Sequence, residues 1–311
     1  MTGNFVYTAG GLQRLGDVTV DFLVVDITNR AAPAIVGFNT FAGRGSPSSI
    51  RVGGDFVYAT TSRGLSIFDI VNRTSPVSRS DIALAGINSS QVRVSNGRAY
   101  VVGSGFPGPS RLYVVDVTNA AEPKVLGSYA ESSNFYDLEV AGNTVYVATH
   151  LPAGNLLIID VTNPAAPVKV GTFTEAGINR ISNVALRGDA LIAIGETADF
   201  NDHLLIVDVT NRVAPRRLAT IDLASGGAQD IAVTGHRAII LDASRGRLLF
   251  FDVSKPEQTK SVGEFAINSP FQFAAEATTA AVLQFSTTSL GLFDIANCLA
   301  STPRRRAVAR R

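Results

Sequence analysis

Tryptophan is absent from these 311 residues, and cysteine and methionine each occur once. The lone Cys298 leaves no intrachain disulfide framework. Only three histidines occur, His150, His203 and His236, and none clusters with another or with the cysteine along the chain. The commoner zinc and redox signatures are therefore missing, and neither a metal nor a cofactor is expected. Charge of one sign is missing too: 27 Lys and Arg offset 26 Asp and Glu, for a net charge of +1. That balance supplies no field for nucleic acid. No apolar run approaches the ~20 residues of a membrane span. There is no Gly-x-Ser-x-Gly elbow, phosphate loop or dinucleotide fingerprint, and helical periodicity is nearly absent.

What the chain does have is a phrase that returns. "LLIIDVTNPAAPVKVGTF" (156–173) recurs as "FLVVDITNRAAPAIVGF", "LSIFDIVNRTSPVSRSDI", "LYVVDVTNAAEPKVLGSY", "LLIVDVTNRVAPRRLATI", "LLFFDVSKPEQTKSVGEF" and, cut short, "LGLFDIANC". Its aspartates are Asp26, Asp69, Asp116, Asp160, Asp208, Asp252 and Asp294. Such a period points to a propeller or a solenoid. Within each unit the runs are short, β-branched and bounded by turn residues, which reads as strand. One unit comprises strand a ("SSIRV"), b ("FVYATT"), c ("LSIFDI") and d ("PVSRSDI"). Four short antiparallel strands in a unit of this length match one propeller blade. Strand c resembles the signature of the bacterial and archaeal LVIVD repeat, over residues 5 to 297. That resemblance implies a propeller, often on a cell surface, and carries no catalytic residues.

The expected fold is all-β: a seven-bladed β-propeller of four-stranded antiparallel blades with incomplete terminal blades. A single propeller over 1–298 divides at about 1–40, 41–83, 84–129, 130–173, 174–221, 222–265 and 266–298. The first unit lacks strand a and the last lacks strand d, so a d and an a strand are expected upstream of Met1, where a signal sequence could also lie; the alternative is an intrinsically incomplete blade pair with exposed edges between the first and seventh blades. Met1 itself opens no signal-peptide pattern. The arginine-rich segment 299–311 reads as a disordered tail, with an anionic surface as its alternative contact.

The seven aspartates end strand c and are followed by an apolar residue and usually Thr/Ser–Asn, with Pro33, Pro76, Pro123, Pro167 and Pro215 seven positions after the first five. This predicts Asx-type turns, not a carboxylate ring. The a–b turns are minimal ("GGD", "SNG", "AGN", "RGD", "TGH"), and Arg187-Gly188-Asp189 is read as one of these turns. The b–c and d–a loops are longer, and binding collects on long loops of a rigid scaffold. On that face a polar residue enters each inner strand: Ser49, Gln91, Asp137, Asn183, Asp230 and Gln272. With Asn134, Tyr136, Asn179 and Arg180 these are the expected ligand-binding residues at the channel mouth. The expected function is a non-catalytic binding module, a monomer, cell-surface or secreted, that presents this face to a protein or carbohydrate. A cytoplasmic location is the alternative. The rival function is a hydrolase or lyase using His150, His203 and Asp137 as acid–base groups.

Overall fold

β-Branched and aromatic residues fit a pleated, half-buried surface, and the apolar runs form strands throughout the computed structural model. It describes the chain except residues 16–17, 42–43, 46, 87, 106–107, 151–154, 225, 269, 277–278, 285–288, 295–304 and 310–311. Over 10–15, 18–21, 89–90, 155, 271–272, 283–284, 289, 293–294 and 305–309 only the backbone is described. The first sheet holds β1 (Phe5–Leu15), β2 (Val18–Asp26) and β3 (Ala34–Asn39). The second holds β4 (Pro47–Gly53), β5 (Phe56–Thr61), β6 (Gly64–Asp69) and β7 (Val77–Ala83). The third holds β8 (Asn88–Ser95), β9 (Arg98–Ser104), β10 (Ser110–Asp116) and β11 (Lys124–Glu131).

An eight-stranded sheet follows. Its first half is β12 (Asn134–Ala141), β13 (Thr144–His150), β14 (Asn155–Asp160) and β15 (Val168–Thr174). Its second half is β16 (Ile178–Arg187), β17 (Ala190–Thr197), β18 (Asp202–Asp208) and β19 (Arg216–Asp222). The fifth sheet is β20 (Ala228–Thr234), β21 (Arg237–Asp242), β22 (Arg247–Asp252) and β23 (Lys260–Ala266). The sixth is β24 (Pro270–Glu276), β25 (Thr279–Gln284), β26 (Ser289–Asp294) and β27 (Arg305–Ala309). All pairings are antiparallel meanders, and one 3-10 turn, Pro256–Gln258, is the only helical element among the described residues. No helix is long and apolar enough to cross a membrane.

Two expectations are corrected. The sequence predicts separate four-stranded sheets throughout, whereas two of them join through the single pair His150↔Arg180. Segment 299–311, expected as a disordered tail, supplies β27, which pairs Leu290↔Ala309 through Phe293↔Arg305. The last sheet is therefore four-stranded, and only the first lacks an inner strand. A ladder asks of its edge strand only backbone N–H and C=O groups, so an arginine-rich segment can serve.

The sheets stack face to face into a β-propeller arrangement. Apolar clusters lie between consecutive groups of strands: Tyr58 and Ile67 against Val92 and Val101, Leu156 and Ile158 against Leu191 and Leu205, Ile192 and Ile206 against Ile240 and Phe251. Val6, Val25 and Ile27 pack on Ala281, Leu290 and Leu292, which brings the first sheet against the last. Gly3 N donates to Glu276 Oε2 (3.1 Å) across the same junction.

The repeated Asp-x-Thr-Asn turn has the predicted chemistry. The N–H of Thr28, Thr118, Thr162 and Thr210 donates to the aspartate two residues earlier at 2.7, 2.9, 2.8 and 2.9 Å. Val71 and Ser254 do the same to Asp69 and Asp252 at 2.8 and 2.9 Å. The threonine side chains first, and these N–H groups second, favour the ionised forms of Asp26, Asp116, Asp160 and Asp208 and hold them below the usual range. Each turn also wedges into its neighbour. A Cβ on Gly171 of β15 would collide with the Arg212 carbonyl of the next turn, and one on Gly127 with that of Pro164. The a–b turns are two residues long. Asn96 (φ 52°) and Gly97 (φ 71°) show the left-handed pair that such hairpins require. Arg187, beside its own tight turn, donates to Gly235 O and Val253 O, both at 3.0 Å, so it ties one sheet to the next.

Candidate functional site

The inner strands β4, β8, β12, β16, β20 and β24 enclose a cavity of about 620 Å³. Five of the expected mouth residues line it: Ser49, Gln91, Asp137, Asn183 and Asp230. The sixth, Gln272, lies on β24 opposite Leu283, and its side chain is outside the described residues. In every one of these strands the register slips immediately before this position. The breaks fall at Pro47/Ser49, Asn88/Gln91, Phe135/Asp137, Ile181/Asn183, Ala228/Asp230 and Pro270/Gln272. A bulge kinks a strand and re-aims the next side chain, so a backbone device repeated six times sets the collar.

Two residues further along each strand comes a second row that sequence reasoning did not identify. It consists of Arg51, Arg93 and Glu139 on β4, β8 and β12, and Ala185, Ala232 and Ala274 on β16, β20 and β24. The signal was available, since residues i and i+2 of a strand share a face.

The charges in this second row are not equivalent. Arg93 bonds Glu139 Oε1 through Nε (2.8 Å) and Asp137 Oδ1 through Nη2 (3.2 Å). Burial opposes its charge, but Asp137 and Glu139 outweigh burial and hold its pKa above the ordinary value. Asp137, only 4 % exposed, also accepts the Val184 N–H through Oδ2 (3.1 Å). Arg51 donates Nη1 to Ile50 O (2.8 Å) and has no salt bridge among the described residues. Burial, followed by repulsion from Arg93, lowers its pKa to about 10. Asp230 accepts the Ile231 N–H (2.8 Å), yet burial pushes its carboxyl up to about 7 against the pull of Arg51. The Ser49 hydroxyl is buried without a hydrogen-bond partner.

The other expected residues assemble elsewhere, at the joint between β13 and β16. Asn179 Nδ2 lies 3.4 Å from His150 Nε2, and the Tyr136 ring meets His150 edge-on at 6.4 Å. The Arg180 guanidinium sits over Tyr136 at 5.6 Å and donates Nη2 to Glu196 Oε2 at 2.6 Å. Asn134 pairs with His150 in the ladder and is exposed. Asp202 accepts the N–H groups of Gly227 (2.6 Å) and Ala228 (2.7 Å), while burial raises its pKa.

Among the described residues no hydrogen bond joins His150, His203 and Asp137 to one another. Asp137 instead serves Arg93 and Val184, and His203 sits on β18 opposite Gly195 and Asp222. Nor do three His, Cys, Asp or Glu side chains come together as a metal site among the described residues.

Comparison with known proteins agrees with this architecture. A Lactobacillus plantarum protein superposes with a TM-score of 0.77 at 10% identity, covering 98% of each chain. A candidate 6-phosphogluconolactonase from Bacteroides uniformis superposes with a TM-score of 0.77 at 12% identity, over 97% of this chain and 95% of that one. Hydrazine synthase of Kuenenia stuttgartiensis gives 0.71 at 15% identity, over 88% and 89%. Likeness at such identities speaks for the fold alone. No curated protein sequence matches the chain. The LVIVD repeat is recognised over residues 1–40, 44–81, 88–131, 134–175 and 197–219, more than half of the sequence. The chain belongs to the LVIVD-repeat family.

Proposed function

We propose that this protein is a non-catalytic binding propeller of seven blades, which offers the mouth of its central channel and the surrounding loops to a protein or carbohydrate. Seven is supported by the seven inter-sheet clusters, the last of which returns to the first strands. On this count the eight-stranded sheet is two blades touching at His150↔Arg180. The observation that carries the binding reading is the convergence of Ser49, Gln91, Asp137, Asn183 and Asp230 on one cavity. Its size is that of a small-molecule or side-chain pocket, and its amide and hydroxyl groups can bond a sugar or a peptide.

The protein acts as a monomer, secreted or on the cell surface, with the cytoplasm as the alternative. Fractionation of the native host decides the compartment. A hydrolase or lyase running through His150, His203 and Asp137 has no geometric observation in its favour, and the name of a 12% identical neighbour carries no chemistry across.

Glycan and peptide arrays probed with wild type and with the Gln91→Ala/Asn183→Ala double variant test the proposal. Retention that falls at least tenfold in the double variant supports it. Absence of any retained glycan or peptide, or equal retention by both proteins, overturns it.

A further inference from the structure

We infer that the channel takes a small molecule with one carboxylate head and an apolar body, the head pairing with Arg51 and the body lying on the alanine wall. This inference rests on the reading of the channel as a binding site and assigns to its interior a small ligand distinct from the partner at the mouth.

Two guanidinium groups line the cavity, and only one is matched. Arg93 faces two carboxylates within hydrogen-bond reach, Asp137 and Glu139. Arg51, at the equivalent position one sheet away, has a single backbone carbonyl as its hydrogen-bond partner among the described residues. An enclosed guanidinium without a counter-ion has surrendered hydration that a bound anion would restore, and its planar fork matches a carboxylate in two-point geometry. Of the carboxylates that act on Arg51, Asp137 pulls hardest but is already paired with Arg93, and Asp230, the next, has a carboxyl pushed up to about 7, so it competes weakly with an incoming anion below that pH.

The rest of the wall selects the remainder of the ligand. Beyond Arg51 and Arg93 the same row continues as Ala185, Ala232 and Ala274, with Phe273 and Leu290 also on the lining. An apolar body gains there by leaving water. The head is a carboxylate and not a phosphate monoester, because a phosphate carries about −1.5 to −2 charges into a space that Asp137 and Glu139 already share. The buried, unpartnered Ser49 hydroxyl, two residues from Arg51, is positioned to turn to a second head-group oxygen.

Calorimetric titration of the full chain with octanoate, octyl phosphate and 1-octanol at pH 6 tests this. Octanoate should bind at least tenfold more tightly than octanol and more tightly than octyl phosphate. In Arg51→Gln the preference for acid over alcohol should vanish while the melting temperature stays within a few degrees. If Arg51→Gln does not fold, Arg51→Lys should retain the charge but lose several-fold of the preference. Ala232→Asn, which adds a polar group without charge, should weaken octanoate and octanol alike. Equal binding of octanoate and octanol, an unchanged preference in Arg51→Gln, or no binding of either probe overturns the inference. In that event the array experiment still judges the binding reading by itself, since glycan or peptide retention there depends on Gln91 and Asn183 and not on Arg51.

Discussion

The two sides of the channel wall share one backbone and differ in what they carry. On β4, β8 and β12 the second row is Arg51, Arg93 and Glu139, while on β16, β20 and β24 it is Ala185, Ala232 and Ala274. The bulge that precedes each collar residue occurs on both sides. The repeat therefore dictates the ladders, turns and direction of the inner side chains, and leaves their identity open. Chemistry sits on a fold in this way because the scaffold does not depend on it. On the charged side Arg93 is linked to Glu139 and Asp137 while Arg51 stands apart from that network, whereas the alanine side contributes small apolar surface.

This contrast can be broken by experiment. Asp137→Ala has the largest expected effect, a loss of about 3 kcal/mol in urea unfolding, since it strips one partner from Arg93 and leaves the Val184 N–H unpaired. A loss below that of an ordinary surface change would mean that the network is not a unit. Asp230→Asn should act with the opposite sign. The folded carboxyl titrates at about 7 and the unfolded one near the ordinary 3.8. The folded state thus binds the extra proton between these values, and stability contributed by protonation is lost as pH rises through that window. Removing the charge should raise stability at pH 8 by up to about 2 kcal/mol and flatten the profile between pH 4 and 7; an unaltered profile would contradict the assigned burial.

Asp160→Ala, far from the channel, should cost about 1 kcal/mol, the scale of a lost side-chain-to-backbone cap. Because Thr162 holds the wild-type carboxyl below the usual range, its contribution is present above that range and fades as pH falls through it. The variant and wild type should therefore converge in thermal melts toward pH 3. Asn183→Ala, the counterpart of Asp137 on the alanine side, should move stability by less than about 0.5 kcal/mol. A larger loss would show that both sides are networks.

Much of this was legible before any coordinates. The turn after strand c is local chemistry, readable from four residues, and it takes the form Asp-x-Thr-Asn at Asp26, Asp116, Asp160 and Asp208. The collar was legible because strands a begin with a polar residue in every unit, and five of the six line the cavity. The second row was missed by reading only the first polar position and not its same-face neighbour. The partnership of His150 with Asn179, Tyr136 and Arg180 depends on how β13 meets β16 across a sheet boundary, which no window of sequence encodes. Strand β27 was invisible because apolar alternation, the usual strand signal, is missing from "RRAVA".

The kink before each collar residue carries a further consequence. It occurs whether the residue that follows is a serine, an amide or a carboxylic acid, so these sites behave as sockets on fixed spindles. A combinatorial library confined to them, with Asp137 kept because it holds Arg93 and the Val184 N–H, would re-tune what the pore admits while leaving the strand ladders in place.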